Sequence, residues 1–133
     1  MSVIDYVHLR VADFDASRRF YRAALRALET APDHDGPDHF AAGELYVDGA
    51  DAGVSHVHLA FVAKDRDSVV RFHAEGLAAG GRDNGGPGER DYHPGYYAAF
   101  LLDPDGNNVE AVHHGSATHP GEGVLEPGEG SGP

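Results

Sequence analysis

Asp103-Pro104-Asp105-Gly106-Asn107-Asn108-Val109-Glu110-Ala111-Val112 is the stretch that organises the rest of the chain. Its first half is a turn: Asp opens it, Pro presets φ at the second position and Gly closes it, the order a type I turn prefers. Its second half alternates, so Asn108 and Glu110 project to one side of a strand while Val109 and Ala111 project to the other. A carboxylate in mid-strand, among residues that otherwise read as core, is the most informative feature here. The bland reading is a glutamate on an exposed face. The rest of the chain favours a second one.

The 133 residues suffice for one core and not for two ordinary ones. A hydrophobic content of 41% with a formal net charge of −12 describes a globular chain. That charge argues against nucleic acid or an anionic membrane as partner, since both require basic patches, and it would suit a cationic ligand. Without cysteine there is no disulfide framework, no thiolate nucleophile and no cysteine-ligated zinc. The N-terminus enters a strand pattern without a basic region followed by an apolar stretch, and no apolar run approaches membrane-spanning length. A cytoplasmic protein is expected.

Val3 to Val11 alternates, with Val7, Leu9 and Val11 on one face and Tyr6, His8 and Arg10 on the other. Asp13 reads as an N-cap, and Ser17, Phe20, Tyr21, Ala24, Leu25 and Leu28 recur at helical spacing, with Arg18, Arg19, Arg22 and Arg26 outside. Residues 32–38 read as a polar loop, 39–42 and 44–47 as two short strands, and 49–53 as a linker. Ser55 to Val62 alternates again, placing His56, His58 and Ala60 on one face. Asp65 caps a second helix that ends at Gly80-Gly81. A Gly-rich loop from Gly81 to Arg90 leads through His93-Pro94-Gly95 into a strand from Tyr96 to Leu102. After Gly115 the composition collapses to Gly, Pro, Glu, Ser and Thr, so a single domain over 1–115 is expected, followed by a disordered tail over 116–133.

Shifted by 52 residues, the halves match: Val7 over Leu59, Asp13 over Asp65, Arg19 over Arg71, Phe20 over Phe72 and Leu25 over Leu77. Each half, about 1–52 and 53–115, is similar to the βαβββ module of the vicinal oxygen chelate superfamily, which contains glyoxalase I, fosfomycin- and bleomycin-resistance proteins and extradiol dioxygenases. The resemblance rests on the run from Asp5 to Asp13 with Ser17 and Phe20-Tyr21, on Val57-His58-Leu59-Ala60-Phe61, and above all on Leu102 to Glu110. It implies an α+β fold: two tandem βαβββ modules whose mixed sheets curl into an open cup, helices outside and the ligand site within.

In that family, metal ligands come from the first strand of each module and a Glu on the last strand. His58 and Glu110 match two of those positions. At the third stands Tyr6, which departs from the pattern. His8 lies on the same face about 7 Å further along, and setting Val7-His8-Leu9 over Val57-His58-Leu59 makes it the counterpart of His58, at the cost of two extra residues before Asp65. Tyr6 is then a weak ligand, a donor to substrate, or the sign of a lost metal site. His8, His58 and Glu110 together would form a facial triad suited to Fe, Mn, Ni or Zn, holding two adjacent substrate oxygens. His56, on the same face as His58, is a hydrogen-bonding partner behind a metal ligand, a proton shuttle or a rim residue, and with Glu110 it would also form an acid–base pair that needs no metal. Arg10, Asn108, His93 and Tyr96 are candidate substrate contacts, the last two in a segment that serves equally as a structural turn.

The expected function is therefore that of a metal-dependent lyase, isomerase or dioxygenase acting on a small oxygenated molecule. The alternative is a metal-free protein that sequesters a small molecule. Members of the family often pair, so a homodimer is expected, with a partner chain able to complete the cup.

Overall fold

Two helices and eight strands make up the computed structural model, which describes residues 4–49 and 53–115. The first module runs β1 (Val7–Val11), α1 (Phe14–Ala27), β2 (His34–Asp35), β3 (His39–Ala42) and β4 (Leu45–Gly49). The second runs β5 (His58–Val62), α2 (Arg66–Ala78), β6 (Arg82–Glu89), β7 (Tyr97–Leu102) and β8 (Asn108–His113). Each module forms its own four-stranded mixed sheet, ordered β1-β4-β3-β2 and β5-β8-β7-β6, with the first strand at an edge and parallel to the last. The tandem βαβββ arrangement read from the sequence is the observed one. Residues 50–52 of the expected linker and the 116–133 tail lie outside the described residues.

Both helices start where their aspartates place them: Asp13 accepts from the Ala16 N–H at 3.1 Å and Asp65 from the Ser68 N–H at 2.7 Å. The apolar stripe of α1 buries Phe20, Tyr21, Ala24 and Leu25, and Val69 and Phe72 of α2 join the same core. Gly76 sits mid-helix, where glycine costs about 1 kcal/mol relative to Ala. A Cβ there would collide with Leu101 of β7 and stand 3.3 Å from Phe20, so the glycine lets α1, α2 and β7 close on one another.

Asp103 joins the modules. Its side chain is fully buried and accepts from the Tyr21 hydroxyl of α1 at 2.6 Å, from the Asp105 and Asn107 backbone N–H groups, and from Asn107 Nδ2 at 3.0 Å. Asn107 Oδ1 in turn accepts from the Val57 N–H at 2.8 Å, just before β5. Burial, reinforced by the Asp103 charge, drives the Tyr21 phenol well above its ordinary pKa, so it stays a donor.

Four segments differ from expectation by more than a residue or two at an end. The first strand, read from Val3, begins at Val7 and leaves Tyr6 outside it. Gly81 to Arg90 reads as a loop, yet 82–89 is strand β6, paired with β7 through two register shifts at Asp83/Gly85 and Gly85/Gly88. Glycines carry no alternating pattern, and they suit such irregular pairing. Residues 34–35 form the short strand β2 inside the expected polar loop, with Asp35 held by Arg18 at 3.3 Å and Arg22 at 3.2 Å. The strand read from Ser55 begins only at His58: Ser55 exchanges hydrogen bonds with the Arg10 backbone, and Val57 is committed to Asn107.

Tyr21→Phe removes a donor from a buried carboxylate, an expected loss of about 1–3 kcal/mol. It is read as a lower urea midpoint at unchanged slope; an unaltered midpoint would show that Tyr21 does not hold Asp103.

Candidate functional site

Glu110 owes its position to strand period. Val109 and Ala111 face the core and are fully buried, so Asn108 and Glu110 point to the other side of the sheet. In the ladder Glu110 stands between Ala60 of β5 and Phe100 of β7. It is 3% exposed, and each carboxylate oxygen has its own partner. Oε1 lies 3.0 Å from His58 Nε2, and Oε2 accepts from the Tyr96 hydroxyl at 2.6 Å. Burial, then the hydrogen bond and charge of Glu110, raise the Tyr96 pKa, so the phenol remains a donor.

Tyr96 is itself gripped. The Tyr92, His93 and His114 rings meet its edge or face at centroid distances of 4.9, 5.2 and 5.2 Å. His93 is buried, and its Nδ1 lies 2.9 Å from the Pro94 carbonyl, which assigns the ring proton to Nδ1. Its Nε2 lies 2.9 Å from His114 Nδ1, and the two ring planes are within 18° of parallel. Gly95, at φ 87°, permits this closure; a Cβ there would stand 3.2 Å from the His114 carbonyl oxygen. His93 thus supports the site through Tyr96.

The first module carries a matching pair, His8 Nε2 and Asp48 Oδ1, 2.7 Å apart. His8 stands opposite Tyr46 with Asp48 two residues on, as His58 stands opposite Asn108 with Glu110 two residues on. By sheet register His8 is therefore the counterpart of His58, and the two extra residues fall between His58 and Asp65. The aromatic neighbour of His8 is Tyr46, at 5.2 Å and nearly perpendicular. Asp48 escapes sequence reading because no Asp-Pro-Asp-Gly turn announces its strand; its two-residue offset along the ladder from His8 is the signal that could have found it.

The remaining candidates scatter. Tyr6 precedes β1 and is 63% exposed. Arg10 stands opposite Asp48 in the ladder, and Asn108 accepts from Asn84 Nδ2 at 3.1 Å beside His58. His56 is exposed before β5, near Asp105 and with no hydrogen bond to Glu110. His8 and the His58–Glu110 pair lie on different sheets, and among the described residues no three His, Asp or Glu side chains converge to hold a metal.

Two hollows lie away from these pairs. One, of about 580 Å³ between α1 and α2, is rimmed by Arg18, Arg22 and Arg26, which Asp15, Asp35 and Glu75 already engage. The other, of about 340 Å³, is apolar and lined by Val7, Leu25, Leu45, Leu59 and Phe61. In the His58–Glu110 pair a half-exposed imidazole stands over a buried carboxylate, and in the His8–Asp48 pair both side chains are part-exposed. No described helix is long and apolar enough to cross a membrane.

Residues 3–111 match the family model of the Glyoxalase/Bleomycin resistance protein/Dioxygenase superfamily. A glyoxalase/bleomycin resistance protein from Albidiferax ferrireducens superposes with a TM-score of 0.72 at 31% identity, covering 84% of this chain and 98% of its own. A glyoxalase-related enzyme from Fulvimarina pelagi gives 0.65 at 21% identity, over 90% and 99% of the two chains. A lactoylglutathione lyase from Agrobacterium tumefaciens gives 0.59 at 24%, over 85% and 94%. The last two share the fold. Comparison with the curated proteins finds no match.

Tyr96→Phe strips Glu110 Oε2 of its donor at a buried position. The expected loss is about 1–3 kcal/mol in chemical denaturation, with a displaced His58 imidazole resonance; an unmoved resonance and unchanged midpoint would mean that the phenol does not set the carboxylate.

Proposed function

The chain belongs to the glyoxalase/bleomycin resistance protein/dioxygenase superfamily, and on that footing we propose that it is a metal-dependent enzyme, a lyase, isomerase or dioxygenase, acting on a small molecule through vicinal oxygens. The observation that carries this reading is the His58 Nε2–Glu110 Oε1 pair, 3.0 Å apart, with the imidazole half-exposed over the buried carboxylate. An imidazole nitrogen and a carboxylate oxygen this close together would hold one divalent ion between them. Imidazole and carboxylate donors without thiolate suit Fe, Mn, Ni or Zn. Such an ion, when bound, polarises a substrate carbonyl and stabilises an enolate.

This chain's residues supply the rest. Tyr96 occupies Glu110 Oε2 and so leaves Oε1 as the oxygen turned toward His58. Arg10 and Asn108, on the same faces, offer polar contacts to the ligand. The His8–Asp48 pair supplies the further donors, brought by a second copy in a homodimer. Supporting this, the His58 side chain is 53% exposed, and β5 is an edge strand whose Val62 is also 53% exposed.

A second reading has its own observation. Among the described residues only two donors meet on each face, and Tyr6 is mostly exposed. On that reading the protein binds a small molecule without metal, and His58 and Glu110 are hydrogen-bonding groups.

Metal analysis of tag-free protein separates the two. Near-stoichiometric Fe, Mn, Ni or Zn, absent from His58→Ala and from Glu110→Ala, is expected. Tyr96→Phe, acting one bond further out, should weaken affinity about 10–100-fold. A wild type that is metal-free and indifferent to added divalent ions would sink the metalloenzyme reading and leave the binder.

A further inference from the structure

Gly85, Gly86 and Gly88 flank Pro87 in β6, and the ladder sets Gly85 opposite Phe100 and Gly88 opposite Ala98. The missing side chains of Gly85 and Gly88 leave room that the Arg90 guanidinium occupies. A Cβ on Gly88 would stand 3.0 Å from Arg90 Nη1; one on Gly85 would stand 3.4 Å from Nη2 and 3.2 Å from a Phe100 ring carbon. Two carbonyls pin the group: Nη2 donates to Gly86 at 2.8 Å and Nη1 to Glu89 at 3.2 Å. Its Cζ lies 5.3 Å from the Phe100 ring centroid. Phe100 stands directly opposite Glu110, and its ring lies 6.3 Å from that of His58.

A positive charge is thus fixed at the edge of the His58–Glu110 face. The two carbonyls take only part of a guanidinium's donor set. Among the described residues no carboxylate lies within ion-pairing distance of Arg90; the adjacent Glu89 turns instead to Arg66, at 3.2 Å. Glycines weaken a strand, and here two of them, Gly85 and Gly88, clear the seat of one cation while Gly86 lends it a carbonyl. On a chain of net charge −12, a face centred on Glu110 repels anions unless a local cation offsets it. A neutral or cationic ligand needs no such group.

We infer that Arg90 is the ligand-recognition residue of this face and that the small molecule bound there carries an anionic group, a carboxylate or a phosphate, beside the oxygens addressed by His58 and Glu110. This rests on reading the face as the ligand site, and it weighs against a cationic ligand.

The test titrates ¹⁵N-labelled full-length protein, with and without added zinc, with oxalate, inorganic phosphate and the neutral analogue oxamide, following the Arg90 Nε–H and the Phe100 amide. Saturable millimolar binding of one of the anions and none of oxamide is expected; which anion binds separates carboxylate from phosphate. Arg90→Gln should weaken binding at least about tenfold, with Arg90→Lys intermediate, since a point charge replaces a fork. Gly88→Ala, which keeps the charge and fills the seat, should weaken it too. Oxamide binding as tightly as oxalate, unchanged anion affinity in Arg90→Gln, or no saturable shift with either anion would overturn the inference. Anion binding that depends on Arg90 in a protein that takes up none of iron, manganese, nickel or zinc would uphold the inference while defeating the metal reading.

Discussion

Asp103 is fully buried, and the groups aimed at its two oxygens decide geometry elsewhere in the molecule. The Tyr21 hydroxyl ties it to the first helix, two backbone N–H groups close its own turn, and the Asn107 amide is oriented so that its oxygen takes the Val57 N–H. A charge withdrawn from water survives only when its hydrogen bonds are met. Each of these bonds is therefore a constraint: the helix of one module, the turn of the other and the entry to β5 must agree. Because Asn107 fixes where β5 begins against β8, it fixes the register in which His58 meets Glu110. A slip of β5 by one residue would send His58 to the core face, away from Glu110, which β7 keeps in place.

Duplication explains why the same chemical pair occurs twice. In each module an imidazole on the first strand reaches the carboxylate two residues along on the last strand, at 2.7 Å in one and 3.0 Å in the other. The helices overlay at a shift of 52 residues and the imidazoles at a shift of 50, the difference being absorbed between β5 and its cap. The modules have diverged around this shared frame. Glu110 is sealed by Tyr96 and the His93–His114 pair, whereas Asp48 and His8 have Tyr46 and His39 beside them and remain part-exposed. The pairs open onto separate sheets, and the chain alone does not bring them to one point.

Much of this is legible in the sequence. Cap aspartates and a helical rhythm located both helices, and the Asp-Pro-Asp-Gly turn with a mid-strand Glu picked out the site carboxylate, because these signals are local. What stayed hidden depends on contacts far apart in sequence or on residues without side chains. β6 has glycine where a pattern would be, so neither its strand nor the seat of Arg90 could be seen. Asp48 needed the ladder, and the bond from His93 to His114 spans a loop and two strands. His56 shared the polar parity of His58, but Ser55 and Val57 are engaged elsewhere, so the alternation there was not a strand.

The claim that a second copy completes the site has a direct measurement. His8→Ala and His58→Ala chains, each metal-poor alone, are unfolded together, refolded as a mixture and assayed for bound metal. In a two-fold dimer that shares its sites, a hybrid has one intact and one doubly damaged site, so random pairing should restore about a quarter of the wild-type metal content. A mixture that remains as empty as its parents, although the chains have exchanged, would show that each chain holds its metal, or none, by itself.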